Sequence, residues 1–394
     1  MEFNFANRIS YLTASEIREI LKITEQREII SFAGGLPAPE LFPVEEIKKV
    51  SQIVLEEEGT KVLQYSTTEG YLPLREWIAD RMNSRLGTKL LPDHIILTHG
   101  SQQGLDLSGK VFLDEGDIVL CESPTYLAAI SAFKAYGCRF LEVPTDDDGM
   151  LPDELEYILE NTPRVKMIYV IPDFQNPTGR TWSLDRRKKL VDLAMKHKVM
   201  VIEDNPYGEL RFEGETLPSF QSFDQTGCVV FLGTFSKIFC PGYRIGWVAG
   251  DPRVIEKYAI VKQATDLQCN TLAQREIAKF LEMYNIEDHI DKIREVYRKR
   301  RDLTVHTMES EFPAGVTFTR PQGGLFSWVE LPAQVNARDV LERSLERNVA
   351  FVPGGPFFPN GSNENTLRIN FSNMPEDRIV IGLHSLAEVL REFI

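Results

Sequence analysis

Between residues 95 and 250 the chain alternates short, unbroken apolar runs with amphipathic stretches. The runs are Ile95-Ile96-Leu97-Thr98, Ile118-Val119-Leu120-Cys121, Met167 to Ile171, Val199-Met200-Val201-Ile202 and Val229-Val230-Phe231-Leu232. Gln102 to Phe112, Leu127 to Tyr136 and Leu184 to His197 carry the helical period between them. A strand without polar residues at alternate positions is covered on both faces, which is the habit of parallel sheets flanked by helices. The pattern predicts an α/β fold built on a largely parallel sheet.

Beyond Pro252 the chain becomes long-helical and charged to about Met308. Strand and helix patterns then mix: Val316 to Thr319, Phe326 to Leu331, Ala337 to Asn348, Thr366 to Phe371, and a last helix from Glu376 to Phe393. This reads as a large α/β unit over residues 46–290 and a smaller α+β unit over 291–394. An N-terminal segment, 1–45, would join the smaller unit. No Gly/Ser-rich linker separates the two, so a long helix is the expected join.

Charge and cysteine usage narrow the function classes. The formal net charge of −14 repels phosphate backbones and anionic lipids, so neither nucleic acid nor membrane is an expected partner. No apolar run approaches the length of a membrane span, and the N-terminus lacks a secretory pattern. Five cysteines with no C-x-x-C pair fit a reducing cytoplasm better than a disulfide framework. None of the six histidines lies four residues from another, so no zinc motif is read and no metal is expected.

In open α/β sheets ligands gather beyond the carboxyl ends of the strands, and four such ends carry unusual residues. His99-Gly100-Ser101-Gln102-Gln103 opens a helix whose free N–H groups can hold an anion. Gly104 to Val111 nearly spells a nucleotide-binding P-loop, but Val111 replaces the magnesium-binding hydroxyl and the segment lies inside the helix. Asp204 ends a strand expected to be buried, where a carboxylate is costly unless it meets a cation. Lys237 follows another strand in Gly233-Thr234-Phe235-Ser236-Lys237, with Arg244 seven residues on. A desolvated lysine serves as a Schiff-base nucleophile, and hydroxyls with an arginine suit a phosphate. Asp173 to Gly179 is ordinary turn chemistry that would place Asn176 at the same edge. An anion cradle, a buried acid and an amine nucleophile together suit pyridoxal 5'-phosphate (PLP), with its phosphate, aldehyde and pyridine nitrogen.

The order of these motifs resembles the fold type I PLP-dependent aminotransferases of class I/II over essentially the whole chain. The matching residues are Gln64-Tyr65 with Glu69-Gly70, Gly100-Ser101-Gln102-Gln103, Asn176-Pro177-Thr178-Gly179, Glu203-Asp204 with Tyr207, Ser236-Lys237 with Arg244, and Leu367-Arg368. Ala14 to Arg18, Ser31 to Pro37, Thr319 to Gly324 and Phe351 to Phe358 resemble the 2-aminoadipate and kynurenine/aminoadipate branch. The resemblance implies a seven-stranded, mostly parallel sheet sandwiched by helices, plus a smaller α+β domain.

It also implies roles. Lys237 would carry the cofactor and move the substrate proton, and Asp204 would pair with the ring nitrogen. Tyr207 and Asn176 would bond the ring oxygen, and Tyr126 would stack on the ring. Ser101, Gln102, Ser236 and Arg244 would hold the phosphate, joined by Tyr65 from the second subunit of a homodimer. Thr234 stands where many relatives carry a serine. Arg368 would clamp the substrate α-carboxylate with help from Asn176 and the Gly35 N–H. Arg18, on an N-terminal stretch able to act as a lid, would read a distal carboxylate or else pair within its helix. The implied reaction passes an amino group from an L-amino acid to a 2-oxo acid, 2-oxoglutarate foremost, by a ping-pong mechanism. A C–S or β-lyase on the same fold is the alternative. A PLP-sensing regulator is a further one, set aside because no DNA-binding domain is read before Ser31.

Overall fold

The computed structural model describes residues 3–12 and 29–394. Its centre is a seven-stranded sheet of β1 (Ile95–Thr98), β2 (Ile118–Glu122), β3 (Arg139–Val143), β4 (Val165–Val170), β5 (Met200–Asp204), β6 (Val229–Thr234) and β7 (Gly246–Ala249). The order across the sheet is β1-β7-β6-β5-β4-β2-β3. All pairs are parallel except those of β7, which runs antiparallel to both β1 and β6. Two strands of this sheet went unread in the sequence. β7, with its Gly246 and Trp247, and β3, which begins at the exposed Arg139, lack the continuous aliphatic run that marked the others.

Successive residues of the central strands enter opposite cores, which is why no polar alternation is present. Val119, Cys121, Met167 and Tyr169 pack on one side of the sheet, while Leu120, Ile168, Val170 and Val201 pack on the other. Each such side chain is fully buried and contributes about 1.5–3 kcal/mol for the larger aliphatics. The covering helices include α1 (Val44–Val62), α2 (Leu72–Leu86), α3 (Gly100–Phe112), α4 (Leu127–Lys134), α5 (Pro152–Asn161) and α6 (Leu184–His197). Residues 104–111, the near P-loop, lie within α3.

Three helices follow: α7 (Pro252–Thr265), α8 (Thr271–Met283) and α9 (Ile286–Glu311). Asp251, Asn270 and Asn285 cap them by accepting backbone N–H groups. α9 bridges two cores: Ile286, Ile290, Ile293 and Tyr297 belong to the large one, and Met308 to a second. That second core surrounds an antiparallel four-stranded sheet of β8 (Thr317–Phe318), β9 (Phe326–Glu330), β10 (Val352–Pro353) and β11 (Thr366–Asn370), in the order β8-β9-β11-β10. α10 (Ala337–Glu346) and α11 (Glu376–Phe393) cover it. Ile29 to Ala33 enters the same core, and Ile30-Ser31 pairs in parallel with Val349-Ala350.

Among the described residues no helix is long and apolar enough to cross a membrane. All five cysteines are buried and free. Glu156 and Glu160 of α5 and His197 at the end of α6 bring ligand atoms within 4.8 Å of one another, a grouping that sequence spacing hid. Lys196 Nζ lies 2.6 and 3.4 Å from the two carboxylates, so an ammonium already offsets half of their charge.

Candidate active site

Because β1, β2, β4, β5 and β6 share one direction, their carboxyl ends open on one edge, and each delivers a turn or a side chain there. Asp204 closes β5 and is almost wholly buried. Tyr169 of β4 donates its hydroxyl to Asp204 Oδ2 at 2.8 Å, across the diagonal of paired strands. Asp204 Oδ1 is buried with no partner among the described residues. Burial pushes the Asp204 carboxyl up to about 7, against the opposing effect of the Tyr169 hydrogen bond.

Lys237 follows β6, the strand beside β5, and is half-buried. Its Nζ donates to Gly35 O at 2.8 Å. Burial, and then the charges of Arg368 and Arg244, lower its pKa to about 8. The Gly35 backbone approaches closely because no side chain intervenes; a Cβ there would meet Phe326 at 3.1 Å.

The turn from β1 into α3 forms a second feature. Gly100 has φ of 70°, and its neighbour on the open side is the Arg244 guanidinium, 2.7 Å from where a Cβ would stand. Arg244 Nη2 donates to His99 O at 3.3 Å, at the helix start. The first N–H groups of α3, those of Gly100, Ser101 and Gln102, have no intrahelical acceptor. Thr234 Oγ1 donates to Ser236 Oγ at 2.9 Å and accepts from Ser236 N at 3.0 Å, which leaves the Ser236 proton free to bond an anion. Thr234 thus orients Ser236.

Arg368 comes from the other core, on β11, paired with Trp328 on one side and Val352 on the other. The alternation of Leu367-Arg368-Ile369-Asn370 suits an arginine on a solvated face, yet every residue of β11 is buried and Arg368 is only 2% exposed. Its Nη1 donates to Asn176 Oδ1 at 2.7 Å and its Nη2 to Ala33 O at 2.5 Å. The guanidinium lies over the ring of Phe326 at 4.2 Å and that of Phe357 at 5.2 Å. Burial lowers its pKa to about 10.

Asn176 Nδ2 reaches the Tyr207 hydroxyl at 3.5 Å, and both residues are buried. Burial holds Tyr207 well above the usual phenol range, and it raises Tyr126 to about 12 with help from the Asp204 charge. Asp204, Lys237, Tyr207, Asn176, Tyr126, Arg244 and Arg368 therefore share one electrostatic neighbourhood. Tyr65 stands apart from it, 79% exposed on the loop after α1. Arg18 lies outside the described residues. Sequence reasoning missed Tyr169, Phe326 and Phe357. A hydroxyl inside an otherwise apolar strand was the one signal for Tyr169; the two phenylalanines read as plain core.

These residues fit PLP. The orphaned Asp204 Oδ1 awaits a hydrogen-bond donor such as a protonated ring nitrogen. A glycine-opened helix start with Arg244 and Ser236 is chemically suited to a phosphate.

The family described as aminotransferase class I and II matches residues 12–386. The chain belongs to that family. It is 45% identical over 392 residues to aromatic-amino-acid aminotransferase 1 of Thermococcus litoralis, covering 98% of this chain and 94% of that one. Among solved structures it is similar to a kynurenine aminotransferase of Pyrococcus horikoshii, with 43% identity, a TM-score of 0.95, and coverage of 99% and 97%. It is also similar to an α-aminoadipate aminotransferase of Thermus thermophilus complexed with N-(5'-phosphopyridoxyl)-L-leucine, with 41% identity, a TM-score of 0.92, and coverage of 98% and 97%. The enzyme is an aminotransferase of fold type I. These relatives transfer amino groups, and the lyase alternative is not favoured.

Proposed function

We propose that this aminotransferase takes its amino group from L-amino acids with acidic or aromatic side chains, 2-aminoadipate and glutamate among them, and delivers it to 2-oxoglutarate by a ping-pong mechanism. The cofactor is pyridoxal 5'-phosphate. The observation that carries the amino-acid reading is Arg368: a buried cation whose hydrogen bonds go to neutral oxygens and whose guanidinium lies over two aromatic rings. Among the described residues no carboxylate pairs with it. The missing anion is the α-carboxylate of the substrate, which a guanidinium fork suits in plane and in charge.

When bound, PLP supplies an aldehyde that captures the substrate amine and a ring that draws electrons from the substrate Cα. The chain's own residues do the rest. Asp204 Oδ1 would accept from the ring nitrogen, and the Tyr169 hydroxyl favours the anionic carboxylate from the other side. Ser101, Gln102, Ser236 and Arg244 bind the phosphate, with Tyr65 reaching it from a second subunit. Tyr126 would pack against the ring, while Tyr207 and Asn176 would bond its oxygen. Lys237 would hold the cofactor and, at Nζ, would be the group that moves the substrate Cα proton. A base with a pKa near 8 is partly neutral at physiological pH, as this task needs. Arg368, Asn176 and the Gly35 N–H orient the substrate, and Arg18 reads a distal carboxylate. In this reading the site spans units 46–290 and 291–394, the 1–45 segment joins the smaller unit, and the enzyme is a homodimer of the cytoplasm.

The test is the visible spectrum of the purified protein after adding one amino acid without any oxo acid. L-2-aminoadipate, L-glutamate and an aromatic amino acid should each convert the yellow band to the pyridoxamine form, and 2-oxoglutarate should restore it. A band unchanged by all three would overturn the donor assignment, and failure of 2-oxoglutarate to restore it would overturn the acceptor.

A further inference from the structure

Glu122 closes β2, is 4% exposed, and takes no part in the chemistry above. Its two oxygens are engaged separately: Oε2 accepts the Ile171 N–H at 3.0 Å, and Oε1 accepts the Trp182 indole N–H at 2.7 Å. Ile171 and Trp182 are the two ends of one loop, closed between them by Trp182 N donating to Pro172 O and Gln175 N donating to Arg180 O. Asn176 sits at the tip of that loop. The tip is tied back as well, since Gln175 Nε2 donates to Pro124 O at 2.9 Å, two residues after Glu122.

We infer that Glu122 is a positioning residue for substrate recognition: by gripping both ends of the 171–182 loop it holds Asn176 Oδ1 against Arg368, and so fixes the guanidinium for the substrate carboxylate. The inference rests on Arg368 and Asn176 binding that carboxylate. Two N–H donors on two different oxygens demand a carboxylate. A neutral amide of the same shape would turn its NH2 on one of the donors, and a buried donor left facing a donor is costly. Burial pulls the Glu122 carboxyl up to about 7, with the Ile171 and Trp182 N–H groups, the Gln175 side chain and the Arg180 charge acting against it.

The experiment is steady-state kinetics on the cofactor-loaded enzyme. Glu122→Gln should raise KM for the amino donor about tenfold while kcat stays within about threefold and the absorbance per subunit is unchanged. Glu122→Gln combined with Trp182→Phe should recover much of the KM, because the amide oxygen then serves Ile171 and nothing opposes the NH2. Should Glu122→Gln fail to fold, Trp182→Phe carries the test alone and should raise KM in the same way. The inference is overturned if KM is unmoved in Glu122→Gln, if kcat and cofactor content fall together at constant KM, or if the two substitutions add without coupling. Arg368→Gln separates the two claims. If it leaves KM unchanged, the carboxylate reading itself has failed; if it raises KM and Glu122→Gln does not, only the role of Glu122 has.

Discussion

Asp204 and Lys237 stand at adjacent strand ends, and burial draws their proton equilibria together, to about 7 and about 8. A carboxyl raised by folding has a definite effect on stability. Below about pH 4 it is protonated in both states; between about 4 and 7 the unfolded chain loses the proton and the folded chain keeps it. Stability therefore falls as pH rises through that window and levels off above it. Cofactor-free protein should show this in a thermal-midpoint series from pH 5 to 7. Relative to Asp204→Asn, the midpoint of the wild type should drop by on the order of a few degrees. A constant difference between the two across the window would mean that Asp204 is ionised throughout. With cofactor bound the drop should shrink, because Asp204 then has a cationic partner.

Among the elements, the start of α3 is the most constrained. Gly100 adopts a left-handed backbone and leaves room for Arg244 against the helix N-terminus. Gly100→Ala would strain the backbone by about 1–2 kcal/mol. It would also place a methyl 2.7 Å from Arg244 Nη2, forcing the guanidinium away. The dissociation constant for PLP, read by titration of the cofactor-free protein, should rise about tenfold or more. A wild-type value would remove this helix start from the phosphate cradle. The same element explains why the P-loop likeness misleads. A phosphate-binding glycine turn must precede its helix, and here the glycines at 104 and 109 are buried inside α3, packed against Leu232 and Tyr136.

At the scale of the molecule, the site draws on two cores joined through α9, with Asp204 and Lys237 from one and Arg368 from the other. Tyr65 belongs to neither: it is strongly exposed beside Leu63, itself 73% exposed. In a homodimer with shared sites, Tyr65 of one subunit completes the phosphate cradle of the other. Mixing and refolding Tyr65→Ala with Lys237→Ala subunits should then regenerate one intact site per hybrid. Activity should approach about a quarter of the wild type, although each parent is nearly inactive. Absence of recovery in hybrids confirmed by mass would place both residues in the same subunit's site.

The residues proposed to hold the cofactor were readable along the chain because each follows a marked feature: an aliphatic run, a glycine before a helix, an asparagine-proline turn. Asp204, Lys237, Asn176 and the 100–102 turn lie where such features end, and the parallel direction of the strands brings those ends together. Arg368 was readable only through likeness to relatives. Its period suits a solvated face equally well, and what covers it is the packing of Phe326, far back in the chain, and of Phe357 from the turn before its strand. The roles of Tyr169 and Glu122 were hidden for the same reason, although the Tyr169 hydroxyl stood out in an apolar strand. Whether a hydroxyl or a carboxylate in a strand is filler or a partner depends on which atoms lie across the sheet, here Asp204 Oδ2 and the Trp182 indole. Local pattern dictates burial and direction along one strand. Long-range register, in which β4 lies beside β5 and β11 lies between β9 and β10, chooses the neighbours that give those side chains their charge state and their work.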